Sequence, residues 1–230
     1  MPSRNLTKIS IKDGFYHIYN RGVEKRIIFE DDQDYKVFLN YLKEYLSPPP
    51  KLEDKVKIFT LQGTSFQGIP HQPKNYYQKI ELLVYCLMPN HFHLLIKQIE
   101  EGGMEGFMRS LATRYSMYFN KKYSRVGPLF QSIYKAVMVG EDNYLLHLSR
   151  YIHLNPAENT NDLASAYSSY ADYLGVRKTP WISTNEILSF FNQAKTDFIK
   201  GTNTYKDFVE KYKTDSASIL GETVIETDDL

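Results

Sequence analysis

Two histidines separated by a single residue are the most informative feature of the chain. His91 and His93 lie within a strongly apolar run, residues 85–96. If this run forms a β-strand, both imidazoles point to one face while Phe92 and Leu94 point to the other, because strand side chains alternate between faces. Histidine is the commonest metal ligand among side chains. The pair therefore indicates either a metal site or two unrelated histidines bonded within a sheet.

A second group of polar side chains falls on a predicted helix at residues 144–154. Tyr151 and Asn155 are four residues apart, so they lie above one another on one helix face, and His147 extends this stripe by one turn. Such a pair is equally compatible with an ordinary solvated helix face. Beside the paired histidines, however, the amide could supply a third metal ligand, and the tyrosine would lie next to whatever group the metal polarises.

These two groups occur with two further motifs in an order that resembles a known family. The four segments are FYHIYNRG at 15–22, LMPNHFHLL at 87–95, GPLFQ at 127–131 and RYIHLNP at 150–156. They resemble the single-tyrosine, His-hydrophobic-His (HUH) transposases of bacterial insertion sequences, and within that superfamily the REP-associated tyrosine transposases. The likeness covers most of the chain.

The resemblance implies a role for each residue of the two groups. His91 and His93 would bind a divalent metal, Asn155 would be the third ligand, and Tyr151 would be the nucleophile that cleaves and rejoins DNA through a 5′-phosphotyrosine. The shorter insertion-sequence enzymes usually carry glutamine at the position of Asn155. The asparagine side chain is one methylene shorter than that of glutamine. A phenol with a pKa near 10 is only about 0.1% ionised at pH 7. Activation must therefore come from the metal, from a base, or from both, and His147 is the candidate helper.

Three functional hypotheses are compatible with these residues. The first is a metal-dependent single-strand DNA transposase or endonuclease, acting in transposition and DNA recombination. Two imidazoles and an amide oxygen accept Mg²⁺, Mn²⁺ or Zn²⁺, and with positions left for phosphate we expect Mg²⁺ or Mn²⁺. The second is a non-catalytic nucleic-acid-binding regulator with the same fold. The third is a hydrolytic zinc site, which is disfavoured because no Asp or Glu base lies near either motif.

The formal net charge of +1 conceals an uneven charge distribution. Residues 106–140 contain no Asp or Glu, and phosphate affinity follows the local field rather than the total charge. Together with Arg21, the basic residues of this stretch are the predicted DNA-binding residues: Arg109, Arg114, Lys121, Lys122, Arg125 and Lys135. The tyrosines of the same stretch, Tyr115, Tyr118 and Tyr123, are candidate stacking platforms for unpaired bases. A single-stranded DNA partner containing a hairpin is implied by the resemblance alone.

Composition sets the expected compartment. The single cysteine, Cys86, makes disulfides impossible within the chain and favours a reducing cytoplasm. The chain contains no run of eighteen apolar residues, so no membrane span is expected. Short members of the resembled superfamily exchange their tyrosine helices within dimers, which leaves a homodimer open here.

Hydrophobic periodicity predicts an α+β fold. The predicted strands cover residues 14–20, 80–87, 91–98 and 129–139, and the predicted helices 31–46, 104–122 and 144–154. The order βαββαβ is typical of a ferredoxin-like sandwich with an antiparallel sheet and helices on one side, followed here by the helix that carries Tyr151. The expected domains are an HUH-type domain at 1–158, with a loop insertion at about 51–78 and a short strand at 56–61, a helical C-terminal extension at 159–213, and an acidic, disordered tail at 214–230.

Overall fold

A four-stranded antiparallel sheet lies at the centre of the protein, whose computed structural model describes residues 10–192 and 204–211. Its strands are β1 (Phe15–Arg21), β4 (Ile80–Met88), β5 (His91–Gln98) and β6 (Lys135–Val139). A separate hairpin consists of β2 (Lys57–Leu61) and β3 (Thr64–Gly68). The described helices are α1 (Asp32–Leu46), α2 (Leu52–Lys55), α3 (Gly103–Lys122), α4 (Asp142–Leu154), α5 (Tyr170–Tyr173), α6 (Asn185–Asn192) and α7 (Tyr205–Glu210).

The order of the strands in the sheet is β4-β5-β1-β6, and every neighbouring pair is antiparallel. When the four strands are counted along the chain, the sheet order is second, third, first, fourth. This is the order of the split βαβ arrangement in ferredoxin-like folds. The predicted α+β fold with a ferredoxin-like antiparallel sheet is therefore confirmed.

Helices α1 and α3 pack on one face of the sheet and form the first core. Phe92 and Leu94 of β5 point into this core, together with Phe38 of α1 and Leu111 of α3. Helix α1 begins where the side chain of Asp31 accepts a hydrogen bond from the backbone N–H of Asp34, as is typical of an N-cap.

The opposite face of the sheet is covered by α4 and the C-terminal helices, so helices lie on both faces rather than on one. Leu95 of β5 and Cys86 of β4 contact this second core, which also contains Leu148 and Ile152 of α4 and Phe208 of α7. Burial on both faces explains why β4 is almost continuously apolar instead of alternating.

A buried hydrogen-bond network fixes α4 to the C-terminal extension. The imidazole of His153 is fully buried, with Nδ1 2.7 Å from the hydroxyl of Tyr205 and Nε2 2.8 Å from the hydroxyl of Ser169. The same Tyr205 hydroxyl donates to Ser149 over 3.1 Å. Because α4 carries Tyr151, this network determines where the tyrosine lies relative to the sheet.

The structure differs from the predicted elements in two places. The predicted loop at 51–78 contains the hairpin β2–β3, of which only the first strand was predicted. The last predicted strand, 129–139, is shorter, because residues 129–134 turn across the end of β1 and only Lys135–Val139 pairs with it. The predicted acidic tail at 214–230 lies outside the described residues. In the part of the chain that the structure covers, no helix has the length and apolar character needed to span a membrane.

Candidate metal and nucleophile site

The candidate site lies on the sheet face that α4 covers. In the pairing of β1 with β5, Tyr19 is opposite His93 and Arg21 is opposite His91. Because side chains alternate along a strand, His17 of β1 shares this face with both residues. Strand β1 therefore places three polar side chains beside the paired histidines of β5.

The orientation of His91 is determined by its neighbour. The Asn90 amide nitrogen donates to the carbonyl of Lys25, so its Oδ1 is the atom that lies 2.6 Å from Nδ1 of His91. Burial lowers the pKa of His91 to about 4, so the imidazole is neutral at pH 7 and donates through Nδ1. Its Nε2 therefore carries a lone pair rather than a proton.

Asn155 presents a second acceptor to that lone pair. Its amide nitrogen donates to the backbone carbonyl of Tyr151 over 3.0 Å, so Oδ1 is the atom that points towards the histidines. Oδ1 lies 3.3 Å from Nε2 of His91. Two acceptor atoms with no proton between them repel each other, whereas a cation bound to both would convert this repulsion into attraction.

His93 contributes a third candidate ligand atom. It is fully buried, its Nδ1 lies 2.9 Å from Nε2 of His17, and its own Nε2 has no hydrogen-bond partner among the described residues. Burial lowers the pKa of His93 well below its usual value, and the neighbouring His91 and His17 lower it further. The side chain of Asn155 opposes the lowering at both His91 and His93, which places the amide close to both rings.

Tyr151 reaches the same place from α4. Its ring meets the ring of His93 edge-on, with the centroids 5.6 Å apart, and that of His17 at 6.4 Å. Burial raises the pKa of Tyr19, and the neighbouring Tyr151 raises it further. The structure thus brings together His91, His93, Asn155 and Tyr151, which the sequence motifs singled out.

Two residues of the site were missed by sequence reasoning. His17 and Tyr19 lie within the matched segment at 15–22, and their spacing of two in a predicted strand puts them on one face with Arg21. That spacing was the available signal, but it does not identify the neighbouring strand. Within the described ranges, no three His, Cys, Asp or Glu side chains are arranged to hold a metal ion. The amide oxygen of Asn155 is of a type outside that set, and it lies 3.3 Å from Nε2 of His91.

His147 lies in the second core. Its Nδ1 is 2.5 Å from a guanidinium nitrogen of Arg150, and its ring packs against Phe208 of α7. Burial lowers the pKa of His147 to about 4, so the imidazole is neutral at pH 7. Its predicted role as a catalytic helper stays a prediction.

Two of the predicted DNA-binding residues adjoin the site. Arg21 ends β1 opposite His91, and its charge adds to the lowering of the pKa of that histidine. Lys135 begins β6 opposite Tyr19, and its Nζ lies 5.7 Å from the centre of the Tyr19 ring. Burial lowers the pKa of Lys135, as does the neighbouring Arg21. Arg21 and Lys135 therefore form a positive edge beside the histidines.

Most other predicted DNA-binding residues lie on α3, on the far side of the sheet. Arg114 pairs with Glu44 over 2.5 Å and stacks on the ring of Tyr41. Lys122 bonds to the carboxylates of Asp31 and Asp34 at 2.7 Å each. Arg109 and Lys121 are exposed on the same helix, and Arg125, just after it, donates to the side chain of Asn120.

The candidate stacking tyrosines have structural roles. Tyr115 is fully buried and donates to the backbone carbonyl of Ile28, so a base cannot reach it. The hydroxyls of Tyr118 and Tyr123 both donate to the buried carboxylate of Asp34, at 2.8 Å each. These tyrosines join α3 to the start of α1.

Fold and site together define a ferredoxin-like protein that places a helix-borne tyrosine beside paired strand histidines. Residues 64–155 match the family model described as IS200-like transposase. The match includes His91, His93, Tyr151 and Asn155, and it confirms for this segment the predicted resemblance to the single-tyrosine transposases. It supports a transposase-type function.

A similar solved structure is that of a REP-associated tyrosine transposase bound to a REP hairpin, with a TM-score of 0.49 and 12% sequence identity. The similarity covers 79% of this chain and 98% of that one. No curated protein matched the chain.

Proposed function

We propose that the protein is a metal-dependent enzyme that cleaves and rejoins single-stranded DNA through a 5′-phosphotyrosine intermediate. The observation that carries the proposal is the convergence of three candidate ligand atoms beside a tyrosine. Nε2 of His91 faces Oδ1 of Asn155 at 3.3 Å, Nε2 of His93 has no described partner, and the Tyr151 ring lies 5.6 Å from that of His93. Buried acceptors without donors are rare in native structures. A cation bound between Nε2 of His91, Oδ1 of Asn155 and Nε2 of His93 would give each of these atoms a partner.

The donor set fits a divalent metal ion, which His91, His93 and Asn155 would hold. Both imidazoles are neutral at pH 7 because burial lowers their pKa values, so their lone pairs are available without loss of a proton. Nitrogen and amide oxygen donors with positions left for phosphate oxygens suit Mg²⁺ or Mn²⁺. When bound, the ion would withdraw electron density from the scissile phosphate and neutralise the charge that develops there.

Tyr151 supplies the nucleophile. Its phenol oxygen forms a bond to phosphorus while the bond from phosphorus to the 3′-oxygen breaks, leaving a 5′-phosphotyrosine and a free 3′-hydroxyl. The phenol proton is lost and the leaving oxygen gains one. Because one phosphodiester replaces another, rejoining by a 3′-hydroxyl needs no nucleotide cofactor.

Arg21 and Lys135 would bind the phosphates that flank the scissile bond. Both side chains come from strands next to β5 and lie on the same face as His91. Arginine and lysine bind phosphate oxygens through charge-assisted hydrogen bonds. The substrate in this proposal is a single strand with a hairpin beside the cleavage position, as the family resemblance implies.

Covalent capture of labelled DNA tests the proposal. The DNA that flanks the gene is sequenced for repeated hairpins, and single-stranded oligonucleotides containing a hairpin, labelled at either end, are incubated with protein and Mn²⁺ and analysed under denaturing conditions. We expect an adduct with the 3′-side fragment only, because the tyrosine bonds to its 5′-phosphate. Tyr151→Phe is expected to abolish the adduct, and Tyr144→Phe, on the same helix, is the matched control.

Two outcomes would contradict the proposal. Binding without any adduct in the wild type would favour a nucleic-acid-binding regulator. Cleavage that persists in Tyr151→Phe, without an adduct, would favour water as the nucleophile and hence a hydrolytic site.

A further inference from the structure

The buried contact between His17 and His93 joins two neighbouring strands of the sheet. Nε2 of His17 lies 2.9 Å from Nδ1 of His93, and their rings are nearly parallel, with centroids 5.1 Å apart. Both side chains are fully buried. The ring of His17 also lies edge-on to Tyr151, with the centroids 6.4 Å apart. His17 thus contacts both the metal-binding edge of β5 and the tyrosine of α4.

This hydrogen bond determines which nitrogen of His93 faces the site with a lone pair. One of the two facing nitrogens must carry the proton. If Nδ1 of His93 donates to His17, then Nε2 of His93 has a lone pair directed into the site. In the reverse arrangement, Nε2 of His93 would carry the proton and could not bind a metal ion.

We propose that His17 is a positioning residue, which accepts the Nδ1 proton of His93 and so holds the Nε2 lone pair of His93 towards a divalent metal. The inference rests on the proposed function, because it assumes the metal site. A histidine that binds a metal through one nitrogen usually donates its other N–H to an acceptor, which fixes the tautomer and the ring orientation. His17 fills that role with an imidazole instead of a carboxylate or a carbonyl.

Mn²⁺ affinity of the full-length protein tests the role without any dependence on activity. Titration calorimetry is performed on wild type, His17→Phe, His17→Gln and His93→Ala. Phenylalanine keeps the volume of the ring but provides no acceptor, and loss of such a partner weakens metal binding by about 10–100-fold. Glutamine places an amide oxygen close to the position of Nε2, so His17→Gln is expected to bind nearly as tightly as wild type.

The matched control lies on the same strand. Asn20 is buried on the opposite face of β1, where its amide donates to the carbonyl of Ser132. Asn20→Ser should perturb β1 without touching the site, so its Mn²⁺ affinity should equal that of the wild type. Circular dichroism establishes that each variant is folded.

A measurement on the unmodified protein keeps the inference testable if His17→Phe fails to fold. Nitrogen-15 correlation spectra of the metal-free wild type at pH 8, where ordinary imidazoles are neutral, reveal the tautomer of each histidine. We expect the proton of His93 on Nδ1. A proton on Nε2 would overturn the inference.

The outcomes separate the inference from the proposed function. If the wild type binds Mn²⁺, His93→Ala does not, and His17→Phe binds as tightly as wild type, the role of His17 is wrong while the metal site stands. If the wild type shows no binding that depends on His93, the metal site fails and the inference fails with it.

Discussion

Two buried polar groups on opposite faces of the sheet differ in how completely they are hydrogen-bonded. Under α1 and α3, the buried carboxylate of Asp34 receives hydrogen bonds from Lys122, Tyr118, Tyr123 and the backbone N–H of Glu30. Under α4, by contrast, Nε2 of His93 has no described partner. A fully satisfied buried polar group contributes to stability, whereas an unsatisfied one lowers it. The Asp34 carboxylate therefore stabilises the fold, whereas Nε2 of His93 is an atom that the proposed metal would bind.

The largest expected effect is on catalysis at the α4 face. In the proposed function His93→Ala removes a metal ligand, and we expect DNA cleavage to fall about 10²–10³-fold. Removal of metal from the wild type with EDTA should cause a similar loss, and added Mn²⁺ should restore it. The measurement is the rate of adduct formation per folded protein. Equal rates in His93→Ala and wild type would show that His93 on the α4 face is not needed for DNA cleavage.

On the α1–α3 face we expect a large effect on stability instead. Burial alone would raise the pKa of Asp34, but the hydrogen bonds from Lys122, Tyr123 and Tyr118 lower it. Asp34→Asn leaves the Lys122 ammonium without its buried partner, so the free energy of unfolding should fall by about 2–4 kcal/mol. Denaturant titration measures the loss. Mn²⁺ affinity should not change, and a loss of affinity would show that the faces are coupled.

The pH dependence of stability should be caused in part by His153, a buried histidine of α4. Burial lowers the pKa of His153 to about 3, below the ordinary value of about 6.5 in the unfolded chain. Between these values the unfolded protein binds a proton that the folded protein does not. The free energy of unfolding therefore falls as the pH decreases from about 6.5, by up to about 1.4 kcal/mol per pH unit for this residue.

Denaturant unfolding at pH 7 and pH 5 checks this slope. His153→Gln cannot take up the proton, so its stability should depend less on pH than that of the wild type. His71→Gln, at an exposed histidine outside both cores, is the control and should keep the wild-type slope. An unchanged slope in His153→Gln would contradict the expectation.

The smallest expected effect is on DNA affinity, and it should differ between the basic residues on the two faces of the sheet. Arg21→Ala and Lys135→Ala should each weaken binding to a short single strand only several-fold and reduce the salt dependence by about 0.7 in the logarithmic slope. Arg109→Ala and Lys121→Ala, on α3, should leave both quantities unchanged for an oligonucleotide that covers only the site. Fluorescence anisotropy at several salt concentrations measures both. Equal losses in the two sets would indicate that DNA wraps around the sheet.

The same contrast explains which features could be predicted from the sequence. The strands and long helices follow from periodicity, and spacing rules put His91 with His93 and Tyr151 with Asn155. The interactions of Lys122 and His17 could not be predicted, because their partners Asp34 and His93 are distant in sequence and become neighbours only in the fold. Charge counting therefore assigned Lys122 to DNA, although it pairs with carboxylates.

The hairpin β2–β3 was missed for a different reason. Its side chains are mostly exposed on both strands, so no alternation between apolar and polar residues distinguishes it from a loop. Register is weakly encoded in such strands, because neither face is buried.

One glycine connects the ends of both strands that carry the site. A Cβ atom at Gly22 would lie 2.3 Å from the carbonyl oxygen of Arg26, and the backbone N–H of Gly22 donates to the carbonyl of Asn90 over 2.9 Å. Any larger residue at this position would push the chain away from the turn before His91. The arrangement of the candidate site thus depends on a residue that has no side chain to contribute, and a single methyl group there would disturb Arg21 and His91 together.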